Sequence, residues 1–191
     1  MKNPKIRFKG CTEDWEQRKL ESVAEFNPKA ELPEEFEYVD LESVVGTEMI
    51  AHRKETKESA PSRAQRLAKT GDVFFQTVRP YQKNNYLFEK PDNNYVFSTG
   101  YAQMRPNIES TFLMSFLQTD GFVKVVLDNC TGTSYPAINS SDLANLVITY
   151  PASTSFKLVQ KCDKNGFDKK FVTLYDWIMT TEKGLCLLII S

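Results

Sequence analysis

Histidine and paired cysteine are what this sequence most lacks. His52 is alone, and Cys11, Cys130, Cys162 and Cys186 are scattered without a CxxC spacing. That pattern supports neither a zinc site nor a disulfide framework, and it fits a reduced, cytoplasmic setting. There is no GxxxxGK[ST] and no GxGxxG, so a loop that cradles the phosphates of a nucleotide cofactor has no support. Nor is there an Asn-Pro-Pro-Tyr or Asp-Pro-Pro-Tyr of the kind amino-methyltransferases carry. Long apolar runs are absent as well. Leu185 to Ile190 is far too short to cross a bilayer, and Met1 to Gly10 carries lysines and an arginine but no apolar stretch of the signal-peptide kind. An excess of one charge is missing too, with 24 Lys+Arg against 25 Asp+Glu.

What is present is a globular composition. The chain has 191 residues, 41% of them hydrophobic and 12% aromatic, including 13 Phe and 8 Tyr. That length suits one domain with a real core and at most a short appendage. The charges are segregated along the chain. Glu21 to Ile50 holds nine acids against Lys29 alone, whereas Ala51 to Lys90 holds nine bases against four acids. Such asymmetry can place a positive face on a neutral protein, or simply two solvated surfaces.

The stretch Gly71-Asp72-Val73-Phe74-Phe75-Gln76-Thr77-Val78-Arg79-Pro80 organises the rest. A turn pair, an aromatic and β-branched run, and an arginine before a proline predict a buried strand over Val73 to Val78. Trp15, Leu20, Val23 and Phe26 predict a short amphipathic element ending at Asn27-Pro28. Strands are expected at Phe36 to Leu41, Met49 to Ala51, Tyr86 to Phe88, Tyr95 to Phe97, Ala102 to Arg105 and Leu146 to Tyr150. His52 to Thr70 reads as a polar surface loop with at most a short helix after Ser62. Ser110 to Thr119 carries Phe112, Leu113, Phe116 and Leu117 at helical spacing with Gly121 as its stop. Phe122 to Leu127 is apolar and ambiguous, and Asn139 or Ser140 caps a short helix through Asn145. The fold class this gives is α/β (α+β), a mixed twisted β-sheet with a few short helices.

Catalytic constellations are missing from the pattern. His52 sits among charges with no nucleophile motif attached, and the acids of Glu31 to Glu48 do not separate a hydrolase cleft from a solvated acidic face. Binding remains. Arg, Lys, Asn, Gln, Ser, Thr and Tyr in loops are the residue types that contact phosphates and base edges, because guanidinium forks and amides match the edges of guanine and adenine. Arg53 to Arg66 and Gln76 to Asn85 both offer this set, although ordinary loops use the same residues. A small hydrolase with an acidic cleft and a protein-interaction module using the aromatics stand as competing readings.

Four blocks in register then form a larger pattern. They are Pro4-Lys5-Ile6-Arg7-Phe8 with Asp14-Trp15-Glu16-Gln17-Arg18-Lys19-Leu20; Gly71-Asp72-Val73-Phe74-Phe75 with Arg79-Pro80; Ser98-Thr99-Gly100-Tyr101; and Gly132 with Tyr135-Pro136-Ala137-Ile138-Asn139 and Asp142-Leu143. In order and spacing this resembles the specificity subunit of type I restriction-modification enzymes. The resemblance implies that residues 1–151 form one target recognition domain, a non-catalytic α/β unit that reads one half of a bipartite sequence in double-stranded DNA. It also implies methyltransferase and restriction subunits as partners, if the assembly helices are present, with S-adenosylmethionine, ATP and Mg expected only on those partners. As a half-subunit the chain could pair with a second copy.

The same resemblance separates scaffold from reader. Blocks shared by subunits of different specificity leave base selection to the segments between them: His52 to Lys69, Lys83 to Asn94 and Thr131 to Ser134. The residues expected to touch DNA are Arg53, Lys54, Arg63, Arg66, Gln76, Arg79, Lys83, Asn84, Asn85, Tyr101, Thr131, Ser134 and Tyr135. Gly71, Gly100, Gly132, Pro80 and Pro136 are expected to be structural. After Pro151 the pattern departs from the family, whose helical spacer would follow. Residues 152–191 lack a regular apolar seam and are expected to be an aberrant or truncated tail, as a frameshift would produce.

Overall fold

Val73, Phe74, Phe75 and Gln76 are all buried. Side chains alternate faces along a strand, so this strand requires cover on both sides, and the rest of the chain supplies it. A computed structural model describes residues 15–91, 94–132 and 134–151. The elements run β1 (Trp15–Lys19), a single helical turn α1 (Leu20–Val23), β2 (Ala24–Phe26), β3 (Glu35–Val39), β4 (Val44–Val45), β5 (Glu48–Met49), β6 (Arg53–Thr56), β7 (Ala64–Leu67) and β8 (Val73–Gln76). There follow β9 (Tyr86–Leu87), β10 (Tyr95–Ser98), β11 (Tyr101–Pro106), α2 (Ser110–Leu117), α3 (Asp120–Asp128), α4 (Ser140–Asn145) and β12 (Val147–Pro151).

The strands form two four-stranded sheets, ordered β2-β11-β8-β9 and β6-β3-β10-β7, beside a β1-β12 ribbon and a small β4-β5 hairpin. Among the described residues only the β3-β10 pairing is parallel. On one face of the first sheet, Val73, Phe75, Ala102 and Met104 pack with Leu113, Leu117, Phe122 and Val126 of the helices. On the other face Phe74 and Tyr101 meet Val39, Phe97 and Tyr95 of the second sheet. Phe74 and Phe97 stack across this junction with ring centroids 3.7 Å apart. The outer face of the second sheet is closed by Phe36, Tyr38, Ala64 and Val96 with Leu32, Ala60 and Leu67.

A buried carboxylate fastens the two sheets together. Asp72, 1% exposed, accepts from the Arg105 guanidinium through both oxygens at 2.9 and 2.8 Å. It also accepts from Gln103 Nε2 at 2.7 Å and from the Lys69 amide at 2.9 Å. Gln103 Nε2 reaches the Leu67 carbonyl at 2.8 Å as well. One side chain thus links the end of β7 to β11. Gly100 serves the same junction differently: a Cβ there would lie 2.8 Å from the Leu41 side chain, so its lack of side chain makes room for Leu41.

The α+β class and the short helices are as expected, two expectations are corrected, and two readings left open by the sequence are resolved. His52 to Thr70 contains β6 and β7 rather than a loop with a short helix. Both are edge strands, and β6 is exposed at three of its four positions, so no apolar alternation marks it. The stretch from Trp15 to Phe26 is a strand, one helical turn and a strand; Leu20 and Val23, three apart, are both buried within that single turn. The ambiguous segment after Gly121 is helix α3, capped by Thr119 Oγ1, which accepts from the Phe122 amide. Gly121 therefore lies inside a helix and does not stop the preceding one. Residues 152–191, the expected tail, lie outside the described residues. Among the described residues no helix is long and apolar enough to cross a membrane.

Arg105→Met leaves the Asp72 carboxylate buried with only neutral donors. Removing one partner of a buried pair costs about 3 kcal/mol, so urea denaturation is expected to show a loss of that size; an unchanged midpoint would contradict the role assigned to Asp72.

Candidate nucleic-acid interface

The candidate contact residues lie far apart in sequence, yet strand direction gathers most of them at one end of the two-sheet stack. β8 ends there at Gln76, β10 ends at Ser98, β11 begins at Tyr101, β7 begins at Ala64 and β6 begins at Arg53. Hydrogen bonds make the end continuous. The Thr99 amide donates to the Arg63 carbonyl at 2.8 Å, the Thr77 amide to the Gly100 carbonyl at 3.0 Å, and the Arg79 amide to the Pro136 carbonyl at 2.8 Å. The loop from Thr131 to Pro136 is closed by a two-way backbone bridge between Thr131 and Ala137 and tied to the strand end by a bridge between Val78 and Ala137. Gly132, with φ +85°, takes the left-handed position this loop requires.

At the centre of this end is a short turn. Pro80–Gln82 forms one turn of 3₁₀ helix flanked by Arg79 at φ 54° and Lys83 at φ 56°. Two non-glycine residues in the left-handed region cost of order 1 kcal/mol or more each, so their surroundings must enforce the conformation. Buried amides do so. Asn85, 1% exposed, accepts through Oδ1 from the Gln76 amide at 2.9 Å. Gln76 donates through Nε2 to the Val78 carbonyl at 2.7 Å and to Gln82 Oε1 at 2.9 Å. Gln118 Nε2 donates to the Lys83 carbonyl at 3.1 Å.

This geometry sorts the thirteen expected contacts. Tyr101 is wholly buried, stacked edge-on with Phe74 and Phe97, and donates its hydroxyl to the Asp40 carbonyl at 3.4 Å. Burial raises its phenol well above the ordinary range. Gln76 and Asn85 are also buried. All three are corrected from contact residues to framework, because none presents a side chain to a macromolecule. Asn84 accepts from the Gly46 amide at 2.9 Å through Oδ1 and anchors the β4-β5 hairpin. Lys83 is ion-paired with Asp120.

Among the described residues no carboxylate pairs with Arg79, which lies over the Tyr135 ring, 4.6 Å from its centroid. Tyr135 is 63% exposed. Thr131 and Ser134 are exposed beside it. Tyr81, 49% exposed, is on the same turn and was not among the expected contacts; an aromatic directly after Arg79-Pro80 is the signal that could have pointed to it.

The remaining bases occupy opposite edges of the second sheet. Arg53 and Lys54 are on β6, and Arg66 is on β7 with Arg63 immediately before it. Arg53 is neutralised: it donates to Asp40 and Glu55 at 2.8 Å each and lies over the Tyr38 ring. Burial pushes the Asp40 carboxyl up, but hydrogen bonds from Ser43, Arg53 and the Glu42 amide outweigh it and hold Asp40 below the usual value. His52 meets Glu37 at 2.8 Å and Lys57 meets Glu34 at 3.7 Å. The acidic and basic blocks of the sequence thus partly cancel each other at the β6 edge.

The fold defined by this arrangement is that of type I restriction-modification specificity subunits. A solved structure of the HsdS subunit from Thermoanaerobacter tengcongensis is 30% identical with a TM-score of 0.61, over 80% of this chain and 42% of that one. A second, described as showing complex assembly and conformational transition of the type I R-M system, is 27% identical with a TM-score of 0.67, over 89% of this chain and 44% of that one. The S subunit from M. genitalium, 13% identical with a TM-score of 0.52, shares the fold. Among curated proteins, the HindI specificity subunit of Haemophilus influenzae is 30% identical over 98 residues, which are 48% of this chain and 21% of that protein. No protein-family model matches the sequence. The chain is similar to these specificity subunits and aligns with less than half the length of each.

Two outcomes follow. Asn85→Ala strips a buried amide of its acceptor, and unfolding free energy is expected to fall by about 1–3 kcal/mol in chemical denaturation. Because the folded-state value of Asp40 is depressed, its contribution to stability is complete above the ordinary aspartate value of about 4 and is lost as pH falls through the depressed one. Melting curves of Asp40→Asn are therefore expected to lose less stability than the parent between pH 5 and pH 3, about the range where an aspartate titrates.

Proposed function

We propose that this chain carries a DNA target recognition domain, which reads one half of a bipartite site in double-stranded DNA for a type I restriction-modification assembly. The observation that supports this most directly is the shared fold at 27% and 30% identity with type I specificity subunits. The chemistry of the strand-end surface agrees with it. Arg79 has a guanidinium with no carboxylate partner among the described residues, and its planar fork matches phosphate or the O6 and N7 edge of guanine. Tyr135, Ser134 and Thr131 give an exposed aromatic and two hydroxyls alongside, on a backbone fixed by buried amides.

In this reading the domain positions and does not catalyse. Methyl transfer and cleavage belong to methyltransferase and restriction partners, which would hold S-adenosylmethionine, ATP and Mg. A polyanion partner makes a quantitative demand: log K falls linearly with log salt at about −0.9 per phosphate neutralised. Fluorescence anisotropy of the full chain on a randomised duplex pool, followed by selection, is expected to give steep salt dependence and an enriched half-site. Arg79→Ala is expected to weaken binding about tenfold or more at the selected site, the size of one good side chain to base contact. A flat salt response without enrichment would favour a protein-interaction module instead.

A further inference from the structure

Two observations put the β4-β5 hairpin at the strand end beside Arg79. β3 runs parallel to β10, with Val39 opposite Phe97, so it ends where β10 ends, and the turn from Asp40 to Ser43 leads directly into the hairpin. From the other side, the Gly46 amide donates to Asn84 Oδ1 at 2.9 Å. That bond ties the hairpin tip to the residue that follows Lys83.

The hairpin has one inward and one outward pair. Val44 and Met49 stand opposite each other; Val44 is buried in the cluster of Val39, Phe74, Phe97 and Tyr101, and Met49 packs against that cluster. Side chains alternate along a strand, so the next pair, Val45 and Glu48, stands on the opposite face. Val45 is 56% exposed, and Glu48 is exposed with it. The buried pair thus fixes where the exposed pair points. Among the described residues the Glu48 carboxylate has no ion pair and no hydrogen bond, whereas nearby Asp40 is neutralised by Arg53.

An unpaired carboxylate beside a polyanion is repelled unless a donor receives it. In the major groove the cytosine N4 amino group is such a donor, and the thymine methyl is the apolar feature a valine can contact. That groove is also wide enough to admit a two-stranded ribbon. Cross-strand partners have Cβ atoms about 5 Å apart, against about 3.4 Å between successive base pairs, so Val45 and Glu48 together span one or two steps.

We propose that the β4-β5 hairpin is a second base reader, entering the major groove beside the Arg79–Tyr135 loop, with Val45 on a thymine methyl and Glu48 accepting from a cytosine amino group. The inference rests on the DNA-binding reading above and adds to it the element and the two bases it selects. It gives the acidic block of the sequence a part in recognition, although no contact was expected there. Glu48 selects by repulsion as well as by attraction: guanine O6 or thymine O4 in the same place would set an acceptor against a carboxylate.

The test uses the full chain and the half-site selected from a randomised duplex pool. Each thymine is replaced in turn by deoxyuridine, which lacks only the methyl, and each C·G pair by T·A. Anisotropy is read for the parent, Val45→Ser, Glu48→Gln and, as a control, Val147→Ser, another exposed valine, on the β1-β12 ribbon. In the parent, one deoxyuridine is expected to weaken binding about fourfold, the size of one buried methyl. One C·G replacement within about two base pairs of it is expected to weaken binding about tenfold, the size of one mismatched pair. Val45→Ser is expected to abolish the first effect alone, Glu48→Gln the second alone, and Val147→Ser neither. Glu48→Gln is also expected to bind a scrambled duplex at least as tightly as the parent, because a charge repelled by phosphate is gone; a side chain serving only the fold would weaken every duplex on replacement. Both effects persisting in the two hairpin variants, or their equal loss in Val147→Ser, overturns the hairpin reader while DNA binding stands. Failure of the parent to bind any duplex overturns both.

Discussion

The Asp72 carboxylate is the constraint on which the remaining geometry depends. A charge 1% exposed is tolerable only when hydrogen-bonded and paired, because burying an isolated carboxylate costs far more than a small domain can supply. Arg105 satisfies both oxygens, and Gln103 and the Lys69 amide complete the shell. Their positions matter more than the sum of their energies. Gln103 and Arg105 alternate with Met104 on β11, so the polar pair faces the second sheet while Met104 faces the helices. The network therefore fixes the distance and register between two sheets whose other contacts are largely aromatic and less directional. Every strand end contributing to the proposed interface inherits its position from that register.

How far the sequence reveals this can be judged at particular residues. Val73 to Phe75 is legible because a run of large apolar side chains between a turn and a proline admits few other structures. The helix at Ser110–Leu117 is legible from its spacing. By contrast β6 and β7 were hidden. Arg53-Lys54-Glu55-Thr56 pairs on one side only, and a strand that buries little carries no period-2 signal. The charge segregation was misleading in a related way. Counting acids and bases along the chain suggests a positive face over residues 51–90, but β6 pairs antiparallel with β3, and that pairing brings Arg53 beside Asp40 and His52 beside Glu37. Linear blocks of opposite sign are complementary surfaces when their strands are neighbours.

The candidate contacts divide along the same line. Thr131, Ser134 and Tyr135 are exposed and Arg79 is half-buried beside them because turn chemistry placed them in loops, and loops can be read from the sequence. Tyr101, Gln76 and Asn85 have residue types suited to DNA contact but serve the interior, and only burial distinguishes the two uses. Tyr101 follows a turn glycine, a location that favours exposure, yet β11 begins at that residue and its alternation points the ring inward. Gln76 and Asn85 are amides for a framework reason: the backbone they hold is strained.

That strain bears on how the proposed recognition surface can be both precise and changeable. At Arg79 and Lys83 the chain adopts left-handed φ without glycine, so the turn does not depend on the local preference of the residues it displays. Its shape is enforced from beneath, by Asn85 on the Gln76 amide, by Gln76 on Val78 and Gln82, and by the Pro136 carbonyl on the Arg79 amide. A turn held by its floor leaves the outward side chains free of structural duty. Substituting Arg79, Tyr81 or Tyr135 would then alter what the surface contacts without altering where its backbone lies, provided that the buried amides and the Asp72 network beneath them are kept. In the proposed reading, recognition and fold are carried by different residues of the same ten-residue stretch, Gly71 to Pro80: Val73 to Gln76 are buried, Gln76 holds the turn through Val78 and Gln82, and Arg79 lies over the Tyr135 ring.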